Sequence, residues 1–279
     1  MRLRSVELEL PDVGRAAEFL AGPWGLVPAG SAGGTQFFRG SGTHPYILSV
    51  AKASAPAVVA ITFAGSEAEI GKTDRTFDVP GGGKGYEVRG PENQTYRFIT
   101  DTVVEPLKDR DKPIQLTHAV LNTVDQEAVE RFAVEKLGFK VADRTAHMRF
   151  LRCNRKHHCV AYAKAATPSL NHIAFEMKDV DAVMRGIGRM RESGFECVWG
   201  PGRHGPGNNV FAYFIGPDNF VIEYTAEVEK VDESYRVRAP GEWAYPPGHS
   251  DLWGATPPPS ARMKAAQSKI GFAAGLFRP

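Results

Sequence analysis

The sequence lacks several features that mark specialised classes of protein. Basic residues exceed acidic ones by only two, 34 against 32, which is not the basic excess of a nucleic-acid binder. No apolar run reaches the roughly 18 residues of a membrane-spanning helix. The three cysteines cannot all pair and show no CxxC spacing, which fits a reducing compartment. We therefore expect a cytoplasmic protein that binds neither nucleic acid nor membrane.

The composition is otherwise that of an ordinary globular protein. Apolar residues make up 42% of the chain and charged residues 24%, so a sizeable core is available. A length of 279 residues suggests about two domains. Histidine is unevenly placed, because His44 is the only one of eight that precedes residue 118. Imidazole chemistry, if present, is therefore expected in the second half.

That second half contains an internal repeat. The segments 116–141 and 170–198 each open with Leu-Thr/Asn-His on an apolar strand, turn through Asp into a helix, and reach Gly-Phe before further strands. A looser copy covers 6–29, and a weaker one runs from about 58 to 104. Each unit therefore predicts a strand, a helix and about three strands. The predicted fold is α+β, with four βαβββ modules paired into two domains, each a curved mixed sheet with helices on its outer face.

Capping residues and composition set the predicted boundaries. Asp125 and Asp179 stand where helix N-caps are needed, and Gly138 and Gly194 stand where left-handed C-caps are needed. A polar, Pro-ended linker at 108–113 separates an N-terminal domain, 1–108, from a C-terminal catalytic domain, 114–227. Six prolines between 240 and 259 predict an extended, irregular tail over 228–279. Sheet proteins of this size often associate, so we expect a homo-oligomer.

Three side chains are predicted to converge on one face of the C-terminal sheet. His118 and His172 occupy equivalent places in the two repeats, and side chains alternate along a strand. Ile173 and Phe175 take the helix-packed face, so His172 points into the hollow of the sheet. In the last strand Glu223 likewise points into the hollow. Two imidazoles and one carboxylate with open positions form the arrangement suited to non-heme Fe(II), whereas each residue alone is more often an ordinary core residue.

These residues carry a resemblance to a known family. The second half resembles the type I extradiol ring-cleavage dioxygenases of the vicinal oxygen chelate superfamily, which also contains glyoxalases and bleomycin-resistance proteins. The resemblance covers 114–226 strongly and 1–105 weakly. It implies that LTHAVLNT supplies the metal ligand His118, LNHIAFEM supplies His172 and FVIEY supplies Glu223. In the N-terminal domain Glu7 and Leu8 stand where a His would begin the strand, so that domain is predicted to be metal-free.

The resemblance also implies a reaction and further site residues. The expected activity is Fe(II)-dependent extradiol cleavage of an aromatic vicinal diol by O2. In this reaction the ring opens at the carbon–carbon bond next to the pair of hydroxylated carbons. His158 would be the general acid–base, with its neighbour His157 as the alternative. Tyr213 would hydrogen-bond a reacting oxygen, and His204 would hold the diol or close the pocket. Two other classes stay open: another metalloenzyme of the superfamily, such as a glyoxalase-like isomerase or lyase, and a metal-free small-molecule binder.

Overall fold

A computed structural model of the chain describes residues 1–71, 73, 75–109 and 111–274. Arg110 of the predicted linker and the last five residues of the predicted tail lie outside these ranges. The described elements, in chain order, are β1 (Arg2–Leu10), α1 (Val13–Ala21), β2 (Val27–Ala32), β3 (Thr35–Arg39), β4 (Leu48–Lys52), β5 (Ala57–Gly65), α2 (Glu67–Ile70), β6 (Gly85–Arg89), β7 (Thr95–Thr100), β8 (Leu116–Thr123), α3 (Gln126–Glu135), β9 (Lys140–Arg144), β10 (Met148–Arg152), β11 (Val160–Lys164), β12 (Ser169–Glu176), α4 (Val180–Glu192), β13 (Trp199–Arg203), β14 (Val210–Ile215), β15 (Val221–Ala226), α5 (Ala261–Ala266) and β16 (Gly271–Phe272).

Within the described residues these strands form two mixed sheets of eight strands each. The N-terminal sheet has the order β2-β3-β4-β1-β5-β7-β6, with β16 paired to β5. The C-terminal sheet has the order β13-β14-β15-β12-β8-β11-β10-β9. In each sheet the first strands of two modules pair antiparallel at the centre, β1 with β5 and β8 with β12. The predicted α+β fold of paired modules is confirmed.

The helix caps follow the sequence signals. The Asp125 carboxylate accepts from the backbone N–H groups of Glu127 and Ala128, and Asp179 accepts from that of Ala182. Gly138 and Gly194 adopt φ of 70° and 82°, the left-handed conformation that glycine takes most easily. Each cap stops its helix in time for the chain to return to the sheet as the next strand.

The second module is the most irregular of the four. Its helix α2 is a single turn, and only β6 and β7 follow it as described strands. An isolated bridge between Thr76 and Lys84 occupies the interval where the third strand is expected.

The helix-bearing faces of the two sheets meet in one core. Trp24, just after α1, stacks on Tyr224 of β15 with ring centroids 3.8 Å apart, and the Tyr224 hydroxyl donates to the Trp24 carbonyl at 2.6 Å. The hydroxyls of Tyr96 and Tyr162 meet at 2.8 Å elsewhere in this core. All four side chains are fully buried. This core holds β15, which carries Glu223, in a fixed position.

The segment after residue 227 differs in part from the predicted extended tail. Most of it lacks regular structure, but it forms the short helix α5 and the strand β16, which joins the N-terminal sheet. The prediction missed both elements because six prolines dominate the composition, whereas Ser260 provides an N-cap that accepts from the Met263 N–H. The segment therefore crosses from one domain to the other.

Candidate metal centre

The three predicted ligands lie on adjacent central strands of the C-terminal sheet. His118 is on β8, His172 on β12 and Glu223 on β15, and their potential ligand atoms all lie within 4.8 Å of one another. Glu223 Oε2 is 3.2 Å from His118 Nε2 and 3.1 Å from His172 Nε2. Ala174 pairs with both His118 and Glu223, so a methyl group forms the floor between them. The structure thus brings together the three residues that strand alternation selected.

Neighbouring polar groups fix the tautomers of both histidines. The Thr117 hydroxyl donates to the Ala174 carbonyl at 3.3 Å, so its oxygen accepts from His118 Nδ1–H at 3.0 Å. Asn171 Oδ1 accepts from His172 Nδ1–H at 2.8 Å, and the Gln267 side-chain amide donates to the same oxygen. Both Nε2 atoms therefore face Glu223 and are the ring nitrogens placed to ligate a metal ion. Outer hydrogen bonds of this kind orient the imidazoles that ligate metals.

The protonation states also suit a metal ligand set. Burial lowers the pKa of His172, which keeps the imidazole neutral. Burial alone would raise the pKa of Glu223, but the charges and hydrogen bonds of His118 and His172 outweigh it and hold the pKa below its usual range. The Asn209 side-chain amide donates to Glu223 Oε1 at 3.2 Å. Two imidazoles and one carboxylate fit a divalent transition metal, and within the described residues no fourth His, Cys, Asp or Glu joins the group.

The three predicted catalytic residues surround this group. The His158 ring lies 4.2 Å from that of His118, measured between centroids. The Tyr213 hydroxyl lies 3.5 Å from His172 Nε2 and 3.0 Å from His204 Nε2. Burial lowers the pKa of His158 well below its usual value and that of His204 to about 4, and burial raises the pKa of Tyr213. At neutral pH the site therefore offers two neutral imidazoles and a protonated phenol.

A cavity of about 530 Å³ opens onto these groups. Its lining is mostly apolar and aromatic, and it includes residues from the segment after 227. The described lining residues are His118, Val120, Thr145, Ala146, His147, Met148, Phe150, His158, Ala163, Asn171, His172, Trp199, His204, Pro206, Tyr213, Pro240, Trp243, Tyr245, Ser250, Pro259 and Gln267. The predicted tail therefore forms part of the wall, and no sequence signal indicated that.

The N-terminal sheet contains the same backbone positions without the ligands. Each sheet has a bulge in its first strand, after Leu3 in the N-terminal sheet and after Leu116 in the C-terminal sheet. The two bulges align Ser5 with His118. A second bulge in the partner strand aligns Ala60 with His172. The pairing of β7 with β5 then aligns Arg97 with Glu223. The expectation that Glu7 and Leu8 stand at the ligand position is wrong by two and three residues.

His157 has a position in the structure that the sequence analysis does not predict. From the sequence it is the alternative to His158 for the acid–base role. The structure places both residues in the turn before β11, and both are buried. His158 lines the cavity, whereas His157 lies behind it and contacts both His158 and Asp143. The supporting residues Thr117 and Asn171 had a visible signal, since each directly precedes a ligand His in the repeat.

Comparison with known proteins agrees with this geometry. Residues 115–224 match the family model of the Glyoxalase/Bleomycin resistance protein/Dioxygenase superfamily. The Mn(II)-bound glyoxalase from Novosphingobium aromaticivorans is 30% identical in its crystal structure, with a TM-score of 0.83 and 91% of both chains covered. The chain belongs to this superfamily. The sequence-based recognition is thereby confirmed.

Curated relatives of the chain include a metapyrocatechase and an extradiol dioxygenase. Metapyrocatechase 2 of Cupriavidus necator is 29% identical over 46% of this chain and 41% of its own. An iron-dependent extradiol dioxygenase of Rhodococcus jostii is 31% identical over 44% of this chain and 47% of its own. The matched region thus spans about half of these relatives. The family model match, residues 115–224, includes His118, His172 and Glu223. Among the described residues, no helix of this superfamily member is long and apolar enough to span a membrane.

Proposed function

We propose that this protein is an extradiol dioxygenase that cleaves a catechol-type aromatic diol with O2. The observation that carries the proposal is the His118–His172–Glu223 group at the base of a mostly apolar cavity, with His158 and Tyr213 beside it. The names of the curated relatives support it. The three residues would hold Fe(II), which when bound supplies the redox chemistry that links the diol to O2.

The surrounding side chains have separate roles in this proposal. His158 is neutral at neutral pH and would accept a diol proton, then return a proton to a developing oxyanion. Tyr213 stays protonated and would donate a hydrogen bond to a reacting oxygen. His204, whose Nε2 lies 3.0 Å from the Tyr213 hydroxyl, would orient that phenol toward the bound diol.

The cavity favours a diol that carries no charged substituent. No Lys, Arg, Asp or Glu is among the described residues that line it. A carboxylate placed there would lose its hydration without gaining a cationic partner, which costs several kcal/mol per ion. Trp199, Trp243 and Tyr245 instead offer flat apolar surfaces for a ring or an apolar substituent. We propose neutral catechols, with one ring or two, as the substrate class.

Two assays test these proposals together. Protein loaded anaerobically with Fe(II) is mixed under air with 3-methylcatechol, 2,3-dihydroxybiphenyl or 3,4-dihydroxyphenylacetate, and O2 uptake and the yellow ring-opened product are recorded. We expect stoichiometric O2 uptake with the neutral diols and at least tenfold lower kcat/KM with the acid, a difference of about 1.4 kcal/mol. Preference for the acid would overturn the substrate class, and no uptake with any diol would overturn the function.

A glyoxalase-like isomerase is the second candidate, because the Mn(II)-bound structural neighbour carries that name. The three-residue ligand group counts against it, since isomerases of this fold commonly use a fourth protein ligand. Mn(II)- or Zn(II)-loaded protein that isomerises the adduct of methylglyoxal and glutathione, without O2 uptake, would favour this candidate over ring cleavage.

The cysteines support a proposal for the location of the protein. The described cysteines, Cys153, Cys159 and Cys197, are all free thiols, which fits a cytoplasmic protein. We also propose a homo-oligomer. Size-exclusion chromatography with light scattering gives the mass, and a value near 30.4 kDa would contradict the oligomer.

A further inference from the structure

A second imidazole and a carboxylate stand in line behind His158. His157 Nδ1 lies 3.0 Å from His158 Nδ1, and His157 Nε2 lies 2.7 Å from Asp143 Oδ2. The side chains of His157 and Asp143 are fully buried, and His158 is 3% exposed. The three groups therefore form one hydrogen-bonded chain that runs from β9 to the cavity, and nothing in the proposed reaction has used its first two members.

Asp143 is fixed as the acceptor at one end of this chain. The Tyr235 hydroxyl donates to its Oδ2 at 2.7 Å, and the Arg238 backbone N–H donates to its Oδ1 at 2.7 Å. Burial alone would raise the pKa of Asp143, but the hydrogen bonds from His157, Arg238 and Tyr235 outweigh it and lower the pKa. An ionised carboxylate only accepts hydrogen bonds, so His157 must carry a proton on Nε2.

That proton determines the tautomer of the next imidazole. When His157 carries one proton, on Nε2, its Nδ1 is bare and can only accept. The hydrogen bond between the two Nδ1 atoms then requires the proton to be on His158 Nδ1. The one remaining ring nitrogen of His158, Nε2, keeps its lone pair.

The His158 ring is also held in place by packing. The ring of His118 lies 4.2 Å away and that of Phe150 lies 5.1 Å away, measured between centroids. On another side Gly207 approaches so closely that a Cβ there would meet His158 Cε1 at 3.1 Å. Rotation of the ring is therefore restricted. Because Nδ1 is engaged by His157, the tautomer decides whether Nε2 carries a lone pair or a proton.

We propose that Asp143 and His157 are positioning residues that hold His158 as the Nδ1–H tautomer and leave its Nε2 ready to accept the diol proton. The kinetic consequence rests on the proposed dioxygenase function, whereas the tautomer itself does not. From the sequence alone, His157 is the alternative to His158 for the acid–base role. The geometry makes His157 its support.

Asp143→Asn is the variant that reverses the chain with the smallest change in shape. The new amide can donate to His157 Nε2, which moves the His157 proton to Nδ1 and the His158 proton to Nε2. We expect kcat to fall by roughly 10- to 1,000-fold. This range lies between the loss of activity typical of removing an outer hydrogen-bond partner and the larger loss caused by a wrong tautomer of a catalytic histidine. KM and metal content should stay near wild type. Asp101→Asn is the matched control, because it changes a buried carboxylate that faces His44 in the N-terminal domain, away from the cavity, and its kcat should stay close to wild type.

Two readouts separate positioning from a merely structural role. In a His158→Phe background, Asp143→Asn should cause no further loss of kcat, and a further loss of the same size would overturn the proposal. Nitrogen-15 NMR of the imidazoles in metal-free protein should show His158 protonated on Nδ1 in the wild type and on Nε2 in Asp143→Asn. A wild-type His158 protonated on Nε2 would overturn the proposal even if ring cleavage is established, and the NMR result stands even if it is not.

Discussion

The two sheets of this protein share their bulges and strand register, yet different groups lie beside the buried carboxylates in each sheet. In the C-terminal sheet Glu223 faces the imidazoles of His118 and His172, and among the described residues no Arg or Lys lies within ion-pair distance of it. In the N-terminal sheet the position of Glu223 is taken by Arg97, which is fully buried. Its guanidinium lies 2.9 Å from Glu87 and 4.0 Å from Glu7.

This difference shows how one scaffold can be stable with or without a metal ion. A buried carboxylate requires a cation nearby, because an unpaired ion loses its hydration. The N-terminal sheet supplies that cation covalently, as the Arg97 side chain. The C-terminal sheet has no such side chain beside Glu223 among the described residues. A divalent metal ion bound there would be the cation that this carboxylate requires.

Removing the C-terminal carboxylate is expected to have the largest effect. Glu223→Gln keeps the shape but removes the only anionic ligand of the group, so metal content and turnover should both fall to background. Metal analysis of the anaerobically loaded protein measures the first. Glu7→Gln removes a buried carboxylate from the equivalent face of the N-terminal sheet and should leave metal content unchanged. Metal retained in Glu223→Gln would refute the assigned site.

Removing the acid–base should slow the reaction without emptying the site. For His158→Phe we expect near-normal metal content and a fall in kcat of roughly 10²–10⁴-fold, the usual contribution of a general acid–base. His249→Phe, which changes an exposed His outside the cavity lining, serves as the control. If His158→Phe turned over at the wild-type rate, the proton transfer would have to be assigned to another group.

Removing the N-terminal cation should affect stability alone. Arg97→Met leaves Glu7 and Glu87 buried beside the lost charge, and we expect a loss of about 3–5 kcal/mol in the free energy of unfolding. Arg75 pairs with the same Glu87 but is 46% exposed, so Arg75→Met should cost below about 1 kcal/mol. Urea unfolding of the metal-free proteins measures both. Equal losses would show that the buried guanidinium is not the stabilising cation.

The smallest effect concerns pH. Burial lowers the pKa values of His44, His158, His172 and His204, the last to about 4. Between that pH and about 6.5 the unfolded chain binds more protons than the folded one, so stability falls as pH falls. We expect the Tm of the metal-free protein to drop across this window, and His204→Gln to reduce the drop by on the order of 5 °C. His147→Gln, at an exposed position, is the control, and an unchanged slope in His204→Gln would contradict the assignment.

The sequence predicted the fold and the three converging ligands because both depend on short-range regularities. Side-chain alternation fixes the face of His172 and Glu223, and the repeat makes His118 equivalent to His172. One regularity was missed: the ligand position lies seven residues before the capping Asp in both His modules, and seven residues before Asp12 stands Ser5, not Glu7 or Leu8. Counting back from the cap would have aligned the N-terminal sheet correctly.

Other features depend on contacts between distant segments. Nothing near Asp143 in sequence indicates that it meets His157, because the contact is made by the pairing of β9, β10 and β11 and is completed by Tyr235. The pairing of β16 with the N-terminal sheet and the approach of Trp243 and Tyr245 to the cavity are also long-range contacts. A proline-rich composition describes the backbone preferences of such a segment but not the surface on which it packs.

The central claim is that only the C-terminal sheet binds a metal ion, through three protein ligands. A crystal structure of anaerobically Fe(II)-loaded protein, with anomalous diffraction recorded on both sides of the iron edge, tests it most directly. The account predicts one anomalous peak per chain, in contact with His118, His172 and Glu223 and with no other protein side chain. A peak beside Ser5, Ala60 and Arg97, or a fourth side chain bound to the ion, would contradict it.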